Sequence, residues 1–198
     1  YNDAVKLAVS MININEGSVK STIAFYNYGT VGQNEIDHCV GVNNYDDMVI
    51  PEMEFTSNDR MVAFGDTKAV IFEGAQKPQA IAEIPMDEKT KSIFYNEHYI
   101  GIVTGNEDEA VTNHLAVYDE NGKLVMEKDF GLDYSSIEFL TNNEICIRNA
   151  NVCDIYTVHG VYKFHHEFEE ELFEIIPGKL KLNYTLVLKD TTQRIRLK

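Results

Sequence analysis

A chain of 198 residues, 44% of them apolar, has enough material for one or two domains with a sizeable core, and that apolar share excludes a disordered chain. Lys and Arg number 17 against 32 Asp and Glu, and the resulting net charge of −15 repels phosphate backbones and anionic membrane surfaces. Nucleic acid is therefore not an expected partner, and the acidic balance reads as a solvated surface that keeps the protein soluble.

Internal repetition organises the sequence. One strand pattern recurs as Thr22-Ile23-Ala24-Phe25-Tyr26, Ala69-Val70-Ile71-Phe72, Leu115-Ala116-Val117-Tyr118, Asp154-Ile155-Tyr156 and Gln193-Arg194-Ile195. Aligning Tyr26, Phe72, Tyr118, Tyr156 and Ile195 gives spacings of 46, 46, 38 and 39 residues. A second pattern keeps step with it: Met53-Glu54-Phe55, Ser92-Ile93-Phe94, Ile137-Glu138-Phe139 and Glu174-Ile175-Ile176. A period of about 40–45 residues with four strands per unit is the signature of a β-propeller blade. The expected fold is all-β: a propeller, or part of one, of the WD40 or quinoprotein kind, with four-stranded antiparallel blades.

In chain order, the first unit supplies three strands, over residues 5–14, 21–27 and 35–42, with Glu16-Gly17-Ser18 turning between the first two. The second runs over 49–86, with Asn58-Asp59 and Gly65-Asp66 as turns; Pro78 and Pro85 bracket its last strand, which suits an outer edge. The third, over 90–130, carries a hairpin at Tyr118 to Lys123 in which Asn121-Gly122 tolerates positive φ. The fourth, over 134–168, is a clear meander: Ile137 and Phe139 alternate with polar neighbours, Ile145 and Ile147 alternate again, and Asn142-Asn143, Asn149 to Asn151 and His159-Gly160 turn the chain. The fifth, from Leu172, again has three strands. Approximate blade limits are 1–44, 45–87, 88–131, 132–170 and 171–198 within a single domain, about four to five blades with the first and last incomplete. His166 to Phe173 is the best helical stretch and reads as a strand end and connection. Because the chain begins at Tyr1 and drops at once into a strand, the expectation is a fragment or processed product, with the missing strands upstream.

Cys39, Cys146 and Cys153 form an odd count, which argues against a complete disulfide framework. Cys153 falls opposite about Arg148, so it does not face Cys146 directly, and all three thiols sit among apolar neighbours as buried free cysteines. No run of about 18 apolar residues and no signal peptide is present.

Several groups invite a site. His165 and His166, beside Glu167, Glu169, Glu170 and Glu171, suggest a metal, yet adjacent side chains on a strand point to opposite faces and no zinc spacing accompanies them. Asn106-Glu107-Asp108-Glu109 could offer oxygens to calcium but lacks the spacing of an EF-hand. His38, His98, His114 and His159 fall in different repeats near turns, and read as scatter rather than a cluster at a blade end. No nucleophile sits in a catalytic context. Phe25, Phe55, Phe72, Phe94, Phe139 and Phe164 occupy repeated strand positions and read as packing between blades. Asn183-Tyr184-Thr185 matches an N-glycosylation pattern, which is meaningless if the source is bacterial. No catalytic, cofactor-binding or metal residue is assigned.

The segments Ser21 to Asn27, Val49 to Phe55, Lys91 to Val103 and Tyr184 to Lys198 resemble an uncharacterised family of membrane-anchored Firmicutes proteins, a domain of unknown function. The likeness covers nearly all of the chain and corresponds to the C-terminal half of such proteins. It implies a short cytoplasmic N-terminus, one transmembrane helix upstream of Tyr1 and a propeller-like extracytoplasmic region. It brings no activity and no catalytic residue. The expectation is thus a non-catalytic extracytoplasmic binding or scaffolding module that recognises a protein, peptide or glycan through loops at one face. The alternative is a propeller-type hydrolase or lyase whose site is completed by upstream residues. A third reading is an assembly module whose open blade edges pair with the missing N-terminal half or with another copy.

Overall fold

The structure, a computed structural model, describes residues 6–28, 36–105 and 113–197. Every regular element among them is a β-strand, and the strands form five antiparallel sheets. No helix among the described residues is long and apolar enough to cross a membrane. The chain divides into two compact units, one holding the first two sheets with the hairpin tip Glu120–Gly122, the other the remaining three sheets.

In the first unit, β1 (Lys6–Asn15), β2 (Ser18–Tyr28) and β3 (Ile36–Asp46) form a three-stranded sheet in sequence order. β4 (Glu52–Phe55), β5 (Arg60–Phe64), β6 (Lys68–Glu73) and β7 (Gln79–Pro85) form a four-stranded one. Gly17 turns β1 into β2 at φ 80°, a conformation that favours glycine. Ile23 and Phe25 of β2 pack on Met61, Ala63, Val70 and Phe72, and the Phe25 and Phe72 rings meet edge to face at 5.2 Å. β7, between its two prolines, is an exposed edge strand as read from the sequence.

The second unit starts with β8 (Thr90–Tyr95), β9 (Tyr99–Gly105), β10 (Asn113–Asp119) and β11 (Leu124–Phe130). β12 (Ser136–Phe139), β13 (Glu144–Asn149), β14 (Val152–Thr157) and β15 (Tyr162–Glu167) form the next sheet. The last sheet has three strands, β16 (Leu172–Pro177), β17 (Asn183–Leu188) and β18 (Thr192–Arg196). One core joins Phe94, Val103, Leu115 and Val117 to Ile145 and Ile147, and another joins Cys146, Cys153, Ile155 and Phe168 to Ile175, Tyr184 and Leu186. The alternation read from the sequence is therefore real: one set of side chains along β13 faces each neighbouring sheet.

The repeat is visible in the hydrogen-bond register. Each pairing of a marker strand with the strand after it shifts by one residue at a shared place, between Phe25 and Tyr26, Ile71 and Phe72, Val117 and Tyr118, and Ile155 and Tyr156, and the β2–β3 pairing shifts once more between Asn27 and Tyr28. The second residue of each pair at the shared place is the aligned repeat position. A bulge at a constant place gives the four hairpins the same local bend at the repeat position, as repeated blades require.

Some expectations are corrected. Cys39 is exposed, since β3 is an outer strand of its sheet, whereas Cys146 and Cys153 are buried free thiols. Arg148 is opposite Cys153 as expected, so the two buried thiols are diagonal neighbours. Element ends move by one to four residues: β3 runs on to Asp46 because its hairpin with β2 extends down to Lys20. β15 ends at Glu167 and β16 opens at Leu172, leaving 168–171 as the connection.

A basic cleft on the fifth sheet as candidate functional site

The fifth sheet reverses the charge of the chain. Residues 172–198 hold 6 Lys and Arg against 2 acids, which leaves 11 against 30 elsewhere, a balance of +4 beside −19. The β16–β17 connection concentrates part of this charge. Pro177 ends β16, the Gly178 N–H donates to the Asn183 carbonyl at 2.7 Å, and the Asn183 side-chain amide donates to the carbonyls of Leu180 (3.3 Å) and Lys181 (3.4 Å). Leu182 takes φ 67°, tightening the return into β17. The loop so formed presents Lys179, Leu180 and Lys181 outward, and Leu180 is 74% exposed.

Clefts lie on both sides of this loop. One, of about 590 Å³, is lined by Lys179, Asn183, Thr185, Arg194 and Arg196. Cross-strand pairing places Arg194 opposite Thr185 and Arg196 opposite Asn183, so both guanidiniums flank the loop. The other, of about 490 Å³, is lined by Lys179 and Lys181 together with Glu144 and Lys163.

Glu144, buried at 8% exposure, is the only carboxylate among the described residues on either wall. Its Oε1 is ion-paired with Lys163, and its Oε2 accepts from the Tyr184 hydroxyl at 2.5 Å. Burial, and then this hydrogen bond, push the Tyr184 phenol well above its ordinary range. Both oxygens of the carboxylate are thus occupied, which makes the network a structural tie between β13, β15 and β17 rather than a free acid–base pair. Among the described residues Lys179, Lys181, Arg194 and Arg196 form no ion pair. Four unpaired cations around two clefts form an arrangement that binds anions.

The residues singled out from the sequence lie elsewhere. His165 pairs through Nδ1 with Asp154 of β14 at 2.7 Å, while His166 stacks on Phe164 and meets Phe168 edge-on at 4.5 Å. The two rings are engaged by separate partners. Glu170 accepts from the Asp190 backbone N–H at 3.1 Å and closes the β17–β18 turn. His114 pairs with Asp129 at 2.8 Å, and His98 and His159 lie in the turns after β8 and β14. His38 has no described side chain, and residues 106–109 lie outside the described residues. No group of three His, Cys, Asp or Glu suited to a metal occurs among the described residues. Phe25, Phe72 and Phe94 are buried core rings, with Phe55, Phe139 and Phe164 half-buried against the same cores. The cleft itself escaped the sequence reading, although the local reversal of charge sign was there to find it.

No curated protein matches the chain. Among solved structures, Hsv2 of Kluyvelomyces marxianus aligns with a TM-score of 0.52 at 9% identity, covering 90% of this chain and 56% of that one. A KlHsv2 variant with loop 6CD replaced by a Gly-Ser linker aligns at 0.51 and 10% identity, over 96% and 63% of the two chains. A eukaryotic initiation factor aligns at 0.52 and 11% identity, over 96% and 49%. The chain therefore spans between 49% and 63% of the length of these structures. At such identities the likeness establishes the fold alone, a β-propeller-like all-β architecture. The model of DUF5711, a family of unknown function, matches residues 2–197, and the chain belongs to that family.

Proposed function

We propose that the chain is a non-catalytic binding module that recognises an anionic partner through the clefts of its fifth sheet. The observation that carries this reading is the set of four cations, Lys179, Lys181, Arg194 and Arg196, without ion partners among the described residues, in a chain of net charge −15. Random placement of the basic residues would have buried their charge in the acidic majority. Their segregation around accessible clefts gives a local positive field that steers an anion against the net repulsion of the molecule. The non-catalytic part of the reading is supported by the saturation of Glu144, whose two oxygens already have partners. The setting implied by the resemblance, a membrane-anchored extracytoplasmic protein of Firmicutes, belongs to the same proposal.

Immobilised poly-L-glutamate tests it. The protein is expected to bind this polyanion despite its own negative charge, to release it as salt rises, and to lose at least about tenfold in affinity in the Lys179→Glu, Arg194→Glu variant. Absence of binding, or binding unaffected by the two substitutions, would overturn the reading.

A further inference from the structure

We propose that the cleft between the fourth and fifth sheets is a site for a small soluble phosphate monoester with an apolar substituent. The inference rests on the reading of the fifth sheet as an anion-recognising surface. It adds which of the two clefts takes the charged group and what chemistry that group has.

The cleft is built from both sheets. One wall holds Glu144 and Lys163, near the starts of β13 and β15, and the other is the β16–β17 loop with Lys179, Leu180, Lys181 and Leu182. The first wall is held ready by its own hydrogen bonds. Lys163 donates to Glu144 Oε1 and, at 3.4 Å, to the Tyr184 hydroxyl, which in turn donates to Glu144 Oε2 at 2.5 Å. These bonds fix an ammonium that is only 21% exposed, and among the described residues they use two of its three N–H donors. The third is left for a ligand in the cleft that Lys163 lines. A donor already fixed in place loses little further freedom when a ligand arrives.

Charge and shape select the ligand. Three lysines against one glutamate leave two positive charges on the cleft, and Lys179 and Lys181 have no ion partner among the described residues. Glu144 neutralises one ammonium, so the remainder balances a dianion rather than a single carboxylate. All the cations here are ammoniums, while Arg194 and Arg196 line the other cleft. An ammonium is a point charge with rotatable donors, which suits the tetrahedral oxygens of phosphate; planar, bidentate capture of carboxylate is the strength of arginine. Leu180 and Leu182 lie beside the lysines and give an apolar ester substituent its contact. A volume of about 490 Å³ is that of a small-molecule site.

The probe is phenyl phosphate, titrated into the 198-residue protein at physiological ionic strength and followed by calorimetry and by lysine side-chain NMR. The expected result is saturable binding of one phenyl phosphate per chain, with shifted signals for Lys163, Lys179 and Lys181. Affinity should fall at least about tenfold for methyl phenyl phosphate, a diester of one charge, and for benzoate. Inorganic phosphate should bind more weakly, because it lacks the contact with Leu180 and Leu182. Lys179→Met, Lys181→Met, on an exposed loop, should lower affinity at least about tenfold and leave the melting temperature unchanged. Lys163→Met alone leaves the buried Glu144 unpaired, so it is combined with Glu144→Gln, which keeps the bond from Tyr184; this variant should lose binding to the same extent. If the diester or benzoate binds as tightly, selection of a dianion is overturned while anion recognition stands. If phenyl phosphate fails and poly-L-glutamate binds, the phosphate site falls alone; if both fail, both readings fall. Equal binding of inorganic phosphate would overturn the apolar substituent. Binding that survives the lysine substitutions would place the ligand elsewhere and overturn the site. Vesicles with phosphatidate headgroups should leave the protein in solution; cosedimentation abolished by Lys179→Met, Lys181→Met would make a lipid the source of the monoester and overturn the soluble ligand.

Discussion

Glu144 shows how much one residue can organise. It lies on β13, yet its two oxygens take partners from β15 and β17, at Lys163 and Tyr184. Tyr184 is 2% exposed, and its phenol is raised by burial and by this hydrogen bond, as burial also raises Tyr45 and Tyr156, each to about 12. A phenol whose folded pKa exceeds its unfolded value of about 10 keeps its proton after the unfolded chain has begun to lose it. Its contribution is complete below about pH 10 and declines as pH rises through the folded value. The melting temperature is therefore expected to hold steady from neutral pH to about pH 9 and to fall from about pH 10 upward. Tyr184→Phe should start lower, by about 1–3 kcal/mol for the orphaned Glu144 oxygen, and fall less steeply with pH. Thermal melts of both proteins across that range, with phenolate absorbance recorded alongside, would contradict the account if the two slopes were equal.

Strand pairs show what the periodic pattern could and could not reveal. Alternation and turn residues located the strands, even though the inner strands β5, β6, β13 and β14 bury consecutive side chains and so face a core on both sides. Strand ends were less legible, since β3 extends to Asp46 through pairing with a partner 26 residues earlier, at Lys20, which local sequence does not announce. Gly101 illustrates the same limit. It faces Phe94 across the β8–β9 pair, and a Cβ added there would lie 2.2 Å from the Phe94 ring. That ring also packs on Phe139 at 4.6 Å, so it has little room to withdraw. Strand propensity predicts that Gly101→Ala stabilises by about 0.5–1 kcal/mol. Packing predicts the opposite sign, a loss of about 1–3 kcal/mol from overfilling. We expect packing to win, in urea titrations read at constant m-value, and Phe94→Leu combined with Gly101→Ala to recover part of the loss. A stabilised single variant would show that Phe94 swings aside freely.

At the scale of the whole molecule, the sign of charge is divided, and a single sum conceals it. The net value of −15 correctly describes most of the surface and led away from anionic partners, although residues 172–198 carry +4. Nor could the cleft walls be assembled from the sequence, because Glu144, Lys163, Lys179 and Arg194 belong to different strands and turns. The divided charge has a consequence that separates folding from binding. The exposed ion pairs of the outer hairpins contribute little, so the dominant long-range term in stability is the mutual repulsion of the acidic majority. Salt relieves that repulsion, with a screening length of about 30 Å at 0.01 M and about 10 Å at 0.1 M. The melting temperature should therefore rise between those ionic strengths, by about 2–4 °C for each kcal/mol of repulsion removed. Binding of poly-L-glutamate depends on attraction between the clefts and the polyanion, so the same addition of salt should weaken it. Opposite responses in one titration, a rising melting temperature and a falling affinity, are the expected outcome. If stability fell with salt, attractive pairs would outweigh repulsion. If affinity rose, the contact with poly-L-glutamate would be apolar, through exposed side chains such as Leu180, and not ionic.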